Sequence, residues 1–228
     1  MGNLGTYFVF LIPPMIIGFV IQHRLKKTVA AQMQVQIANG MTGEQVARMI
    51  LDHNGLSSVP VQQARGGPLS DHYDPRQRTV NLSPGIYDGN TVASVAIAAH
   101  EVGHAMQHEK AYGPFRLRST MFPAVSFASQ SWMILLMIGI FAQIAGVAQL
   151  AVILFAVVVL FQLVTLPVEF DASKRAKSQL HSLGLVSAGE EQGVSKVLGA
   201  AAMTYVAAAL AALSQLAYFA MMFLGNRD

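Results

Sequence analysis

Two histidines and a glutamate stand at helical spacing in the segment VAIAAHEVGHAMQHEK, residues 95–110. His100 and His104 are four residues apart, so on an α-helix both imidazoles project from one face and can bind one metal ion. Glu101 lies beside them, where its carboxylate can take a proton from a water held by that ion. The pattern predicts a metal-dependent hydrolase. The alternative interpretation is a buried, hydrogen-bonded histidine pair next to a solvated glutamate.

A third ligand must come from elsewhere, because catalytic zinc usually has three protein ligands and one open position. His108 is too far from His100, since eight helical residues span about 12 Å. The longer pattern that supplies a third histidine also fails, because position 107 is Gln and position 110 is Lys. A carboxylate remains, and Glu169 in the segment LPVEFDASKRAKSQL is the best candidate, unless it is simply an acid near a helix N-terminus. Asp171 is the alternative ligand, or a carboxylate that orients a ligating histidine.

Two histidines and one carboxylate predict one zinc ion per chain, although affinity order alone admits other divalent metals. The chain contains no cysteine, which excludes disulfides and cysteine-type structural zinc sites. We expect Glu101 to act as the general base on the metal-activated water and to pass the proton to the leaving amine. The anionic tetrahedral intermediate needs a further hydrogen-bond donor. The candidate donors are His72, Tyr73, His108 and His181, and the DHYDP segment that contains the first two also suits a plain turn.

The composition predicts that a membrane holds this site. Hydrophobic residues make up 53% of the 228 positions and charged residues only 12%, which is far from the usage of soluble domains. A spanning helix needs about 20 apolar residues. Four segments qualify, at residues 4–21, 124–145, 147–166 and 197–224. The basic residues form no dense run with interleaved aromatics, which argues against nucleic-acid binding.

The basic residues concentrate in two of the connections between these spans. Of the 15 Lys and Arg residues, ten lie in residues 22–123 and four in residues 167–196. The positive-inside rule makes both connections cytoplasmic, so both termini are expected on the extracytoplasmic side of the membrane. The predicted organisation is an N-terminal anchor over 1–22, a cytoplasmic zincin-like region over 23–123, a transmembrane hairpin over 124–166, a cytoplasmic segment with the third ligand over 167–196, and a transmembrane helix with its tail over 197–228.

The fold class is predicted to be mainly α, with about four transmembrane helices and a cytoplasmic α+β zincin-like metalloprotease domain. Glycine, proline and capping residues mark the element boundaries of that domain. The predicted boundaries are a helix end at Asn39–Gly40, a helix from Thr42 (with Gln45 completing a capping box) to Asn54–Gly55, short strands with turns at Gly66–Gly67 and Asp74–Pro75, and a helix start at Asn90 or Thr91.

Two segments carry a resemblance to a known family. SDHYDPRQRTVNLSPGIYDGNTVASVAIAAHEVGHAMQH, residues 70–108, is followed by a hydrophobic hairpin and by LPVEFDASKRA, residues 166–176. Together they resemble the YugP-type neutral zinc metallopeptidases of bacterial membranes, and the resemblance covers essentially the whole chain. It implies a zinc-dependent membrane peptidase in which His100 and His104 bind the metal, Glu101 is the acid/base and Glu169 is the third ligand.

The arrangement is also similar to HtpX-like and CAAX-prenyl-type membrane proteases, in which a helix after a transmembrane hairpin supplies the glutamate. Those families usually carry an Asp four residues after that glutamate, whereas this chain has Ser173 there. Either Asp171 takes the place of that Asp, or the residues that hydrogen-bond to the metal ligands differ between this chain and those families.

The expected substrate is a polypeptide, in particular a membrane protein or a chain near the bilayer surface. The strands before the motif helix can bind the substrate in extended form by edge-strand addition. Because this mode recognises backbone atoms, such a site would accept many sequences, as the quality control of membrane proteins requires. One alternative is a non-catalytic membrane scaffold with a structural zinc, against which Glu101 argues because such a site has no use for a base. Another is a zinc hydrolase that acts on a lipid or other small amide.

Overall fold

The computed structural model describes residues 4–67 and 70–223. Within these residues the chain is mostly helical and contains one small sheet. The helices are α1 Leu4–Gln32, α2 Gly43–His53, α3 Pro84–Tyr87, α4 Val92–Glu109, α5 Gly113–Phe141, α6 Ala145–Ser182 and α7 Ala188–Phe223, and the strands are β1 Val61–Gln63, β2 His72–Asp74 and β3 Thr79–Leu82.

Helices α1, α5, α6 and α7 are long and apolar enough to cross a membrane. They expose large apolar side chains, among them Phe19 at 75%, Phe127 at 66% and Phe141 at 78%. In water a continuous apolar surface of this kind is unfavourable, whereas in hydrocarbon it is the surface that a spanning helix needs. The prediction of a membrane protein with four candidate spans is confirmed.

The chain divides into two compact units. The helical unit comprises the described residues of Met1–Gln22, Arg116–Pro167 and Thr204–Asp228, and the mixed unit comprises those of His23–Phe115 and Val168–Met203. Aromatic rings fill part of the core of the helical unit. The ring centroids of Trp132 and Phe155 lie 4.4 Å apart, and the ring of Phe219 lies 6.1 Å from each of them.

The three-stranded sheet and helices α2 and α4 form part of the core of the mixed unit. The strand order is β1-β3-β2, with β1 parallel and β2 antiparallel to β3. All four residues of the central strand β3 are buried. Val80 and Leu82 belong to one apolar cluster with Ile50 of α2 and with Val95 and Val102 of α4. This cluster anchors α4, the helix that carries the histidine motif, against the sheet.

Several local predictions are confirmed at the atomic level. Thr42 Oγ1 accepts a hydrogen bond from Gln45 N, and Gln45 Oε1 accepts one from Thr42 N, which completes the capping box of α2. Helix α4 begins after Thr91, whose Oγ1 accepts from Ser94 N at 3.2 Å. After β2, Asp74 Oδ1 accepts two backbone N–H groups and forms the predicted turn.

The helix predicted to end at Asn39–Gly40 ends at Gln32 instead, so that boundary prediction was wrong. Residues 33–41 are not helical, because they pair with the start of α4. Ile37 N donates to Asn90 O at 3.0 Å, and the Ile37 side chain is buried. Burial and this pairing outweigh the local helical preference.

The two helices of the predicted hairpin meet at residues 142–144, where Gln143 has a φ of 58°. The predicted spans, 124–145 and 147–166, place the turn at residue 146, so the observed turn lies a few residues earlier in the chain. Helix α6 then continues through Pro167 to Ser182. The third apolar segment and the segment that carries Glu169 are therefore one helix.

Candidate metal centre

Helix α4 places the two histidines of the motif side by side. The rings of His100 and His104 lie edge to face, with centroids 4.8 Å apart. Glu101 between them is buried. A Cβ on Gly103 would lie 2.6 Å from the carbonyl oxygen of Ala172 on α6. The glycine of the motif therefore allows the two helix backbones to approach closely, which brings the third predicted ligand to the histidines.

That ligand is Glu169 on α6, which is 2% exposed. Its Oε2 lies 3.2 Å from His100 Nε2 and 3.6 Å from His104 Nε2, and the three residues form a group that could hold a metal ion. Zinc bonds of about 2.0–2.1 Å in tetrahedral geometry place ligand atoms about 3.3 Å apart. The donor types and the two distances from the Glu169 oxygen fit a zinc ion, and all three donor atoms lie within 4.8 Å of one another. Across the part of the chain that the structure describes, no second group of this kind occurs.

The Glu101 carboxylate accepts a hydrogen bond from the backbone N–H of Tyr73 in β2. Burial raises the pKa of Glu101 to about 7, and the nearby Glu169 carboxylate acts in the same direction, while His100 and the Tyr73 hydrogen bond oppose the rise. A carboxyl group with a pKa near neutrality can both accept and return a proton at neutral pH.

Tyr73 and His108, two of the predicted hydrogen-bond donors, contact each other. Tyr73 Oη and His108 Nδ1 share a hydrogen bond of 2.9 Å. Burial raises the pKa of Tyr73 to about 12 and lowers the pKa of His108. The ring of Phe115 packs against both and lies 6.3 Å from the ring of His104. Phe115 thus contacts both this pair and His104, one of the two candidate metal ligands on α4.

Each of the two motif histidines contacts an uncharged side chain through Nδ1, the ring nitrogen that faces away from Glu169. Ser173 Oγ lies 3.2 Å from His100 Nδ1, and Gln107 Oε1 lies 3.0 Å from His104 Nδ1. Asp171 contacts Gln107 Nε2 at 2.8 Å and lies outside the ligand group. Ser173, and not Asp171, is therefore the residue that contacts His100. No role was predicted for Gln107, although its position three residues after His104 places both on one helix face.

Comparison with known proteins agrees with this geometry. A family model described as "Putative neutral zinc metallopeptidase" matches residues 7–224. The chain belongs to this family. It is also 46% identical over 222 residues to the "Putative membrane protease YugP" of Bacillus subtilis (strain 168), a match that covers 97% of this chain and 98% of the relative. No solved structure matches the chain. The resemblance inferred from the motifs is confirmed.

In this member of the zinc metallopeptidase family, the other two candidate donors have different surroundings. His72 alternates with Tyr73 along β2 and so lies on the opposite face of the strand, where its Nδ1 lies 2.8 Å from Ser70 O. His181 is exposed and pairs with Glu191, with 2.5 Å between Nδ1 and Oε1. The structure brings neither residue into the ligand group.

Proposed function

We propose that this metallopeptidase is a membrane-embedded zinc endopeptidase that hydrolyses peptide bonds of membrane or membrane-proximal proteins. The observation that carries the proposal is the convergence of two imidazole nitrogens and one carboxylate oxygen next to the buried Glu101. His100, His104 and Glu169 would hold the metal. When bound, zinc supplies Lewis-acid chemistry, which polarises the substrate carbonyl and makes a water molecule more acidic.

Glu101 moves the proton in the proposed reaction. Its carboxylate takes a proton from the attacking water as the new carbon–oxygen bond forms, and it returns that proton to the amine as the carbon–nitrogen bond breaks. The Tyr73 N–H fixes the carboxylate in place. The Tyr73–His108 pair is the proposed hydrogen-bond donor to the developing oxyanion. His108 lies one helical turn after His104 on α4, and the backbone of Tyr73 contacts Glu101.

Strand β2 is the proposed docking edge for the substrate. It pairs with β3 on one side and is an edge strand of the described sheet. A polypeptide added along that edge in extended form would pass the Glu101 carboxylate, since Tyr73 of the same strand contacts it. Recognition of this kind depends on backbone atoms. Broad sequence tolerance, as membrane-protein quality control requires, would follow from it.

The distribution of basic residues supports an active site that faces the cytoplasm. Arg24, Lys26 and Lys27 follow the first apolar segment directly, and Lys174 and Arg175 follow Glu169 on α6. Positive charge at these flanks favours the cytoplasmic side of the bacterial inner membrane. Both termini would then be extracytoplasmic.

A cleavage assay tests the proposal. The zinc-loaded protein in proteoliposomes is incubated with an unfolded model polypeptide and with a membrane-protein extract, and new N-termini are identified by mass spectrometry. Glu101→Gln is the matched control, since it keeps the shape of the side chain and removes the base. New N-termini with the parent protein and none with Glu101→Gln are expected. A zinc-loaded parent protein that cleaves nothing would favour the scaffold alternative. Release of fatty acids from the lipids alone would favour the alternative of a zinc hydrolase that acts on lipids.

A further inference from the structure

Gln107 is a fully buried amide whose orientation is set by its surroundings. Its Nε2 lies 2.7 Å from the carbonyl oxygen of Val168 and 2.8 Å from Asp171 Oδ2. A carbonyl and a carboxylate only accept hydrogen bonds, so the NH₂ group of the amide must face them. The amide oxygen Oε1 is then the atom that faces His104 Nδ1, at 3.0 Å.

This orientation determines which nitrogen of His104 carries the proton. Gln107 Oε1 can only accept a hydrogen bond, so His104 Nδ1 must carry the hydrogen. In the neutral ring Nε2 is then left with a free electron pair. Nε2 is also the atom that points at Glu169, 3.6 Å from its Oε2. The buried amide therefore holds His104 in the tautomer that a cation between these two atoms requires.

Asp171 and Arg175 hold the Gln107 amide in this orientation. Arg175 Nε lies 2.5 Å from the same Asp171 Oδ2 that accepts from Gln107, and the Arg175 guanidinium lies over the Tyr112 ring at 5.7 Å. The chain of contacts runs from Arg175 through Asp171 and Gln107 to His104. Each link has one possible donor and one possible acceptor, so the protonation pattern along it is unique.

We propose that Gln107, backed by Asp171 and Arg175, is a positioning residue that selects the metal-binding tautomer of His104. The tautomer itself follows from the described contacts, while its consequence for metal affinity rests on the proposed function. Ser173 behind His100 does not act in the same way. A hydroxyl can donate or accept, so Ser173 holds that ring without selecting its tautomer.

The first test observes the tautomer directly, without metal. The full-length protein is labelled with ¹⁵N-histidine, stripped of metal with a chelator, and studied in detergent by long-range ¹H–¹⁵N correlation. Only seven histidines are present, and the His104 signals are assigned by their loss in His104→Ala. The expected result is a hydrogen on Nδ1 of His104 in the parent protein, with this preference lost in Gln107→Leu. Bare Nδ1 on His104 of the parent protein would overturn the proposal.

The second test measures zinc affinity by competition with a coloured chelator. Gln107→Leu is expected to weaken binding by about 10- to 100-fold, the usual effect of removing a group behind a metal-binding histidine, and Ser173→Ala by less. The double variant Gln107→Glu/Asp171→Asn keeps an acceptor for Nδ1 and supplies a donor from position 171. It is expected to recover only part of the loss, because the carbonyl oxygen of Val168 loses the donor that Gln107 Nε2 provides.

The two tests separate the possible failures. A parent protein that binds no zinc would contradict the proposed function, and the tautomer would still decide the role of Gln107. Unchanged zinc affinity in a folded Gln107→Leu variant would overturn that role and leave the proposed function intact. If Gln107→Leu does not fold, the spectrum of the parent protein and the double variant remain decisive.

Discussion

Gly103 on α4 and Ala172 on α6 lie so close that a Cβ on the glycine would stand 2.6 Å from the alanine carbonyl oxygen. The obstacle is backbone, which cannot rotate away as a flexible side chain can. This contact sets the separation between the helix that carries the two histidines and the helix that carries Glu169. The second variable position of the H-E-x-x-H motif is therefore constrained by helix packing in this protein.

Gly103→Ala is expected to destabilise the protein by about 1–3 kcal/mol through overpacking and to reduce zinc binding, because α6 must move away from α4. Thermal unfolding and zinc content in the same detergent measure both effects. Gly199→Ala on α7 is the matched control, since nothing lies within 4 Å of its Cβ position. That change should be neutral or stabilise the helix by up to about 1 kcal/mol. Equal stability and equal zinc content in the two variants would show that the contact between Gly103 and Ala172 does not restrict the side chain at position 103.

Tyr73→Phe removes the hydroxyl that bonds to His108 and keeps the ring. If this hydroxyl pair stabilises the oxyanion, kcat should fall by about 100-fold or more with little change in KM or zinc content. Steady-state kinetics with a quenched fluorescent peptide provide the measurement. Tyr87→Phe, at the end of α3 and outside the ligand group, serves as the control. A kcat within a few-fold of the parent value would remove Tyr73 from the proposed mechanism.

The absence of native cysteine makes the membrane orientation directly testable. Single cysteines are introduced by Ser58→Cys, in the exposed segment before β1, and by Ala142→Cys, in the exposed turn between α5 and α6. In spheroplasts a membrane-impermeant maleimide should label position 142 and spare position 58 until the cells are lysed. The reverse pattern would invert the topology and place the candidate site outside the cytoplasm.

Features that depend on short stretches of chain could be predicted from the sequence. The capping box at Thr42 and the cap at Thr91 involve atoms three residues apart, and the His100–His104 spacing follows from one helical turn. Glu169 was found because the order of apolar and charged segments placed it on the same side as the histidines.

Features that depend on distant partners could not be predicted in this way. Helix α1 ends early because Ile37 pairs with Asn90, more than fifty residues away in sequence. The role of Gln107 depends on Val168 and Asp171, which are 61 and 64 residues further along the chain. No local pattern identifies such contacts, because only the packing of α4 against α6 creates them.

Metal content tests the central claim most directly. The protein is purified in detergent without added metal, and zinc per chain is measured for the parent, His104→Ala, Glu169→Gln and Glu101→Gln. We expect about one zinc per chain in the parent and in Glu101→Gln, and a loss of most of it in the other two, because two ligands cannot retain zinc as three do. Zinc retained in full by Glu169→Gln, or absent from the parent even after incubation with zinc, would contradict the assignment of His100, His104 and Glu169 as the metal centre.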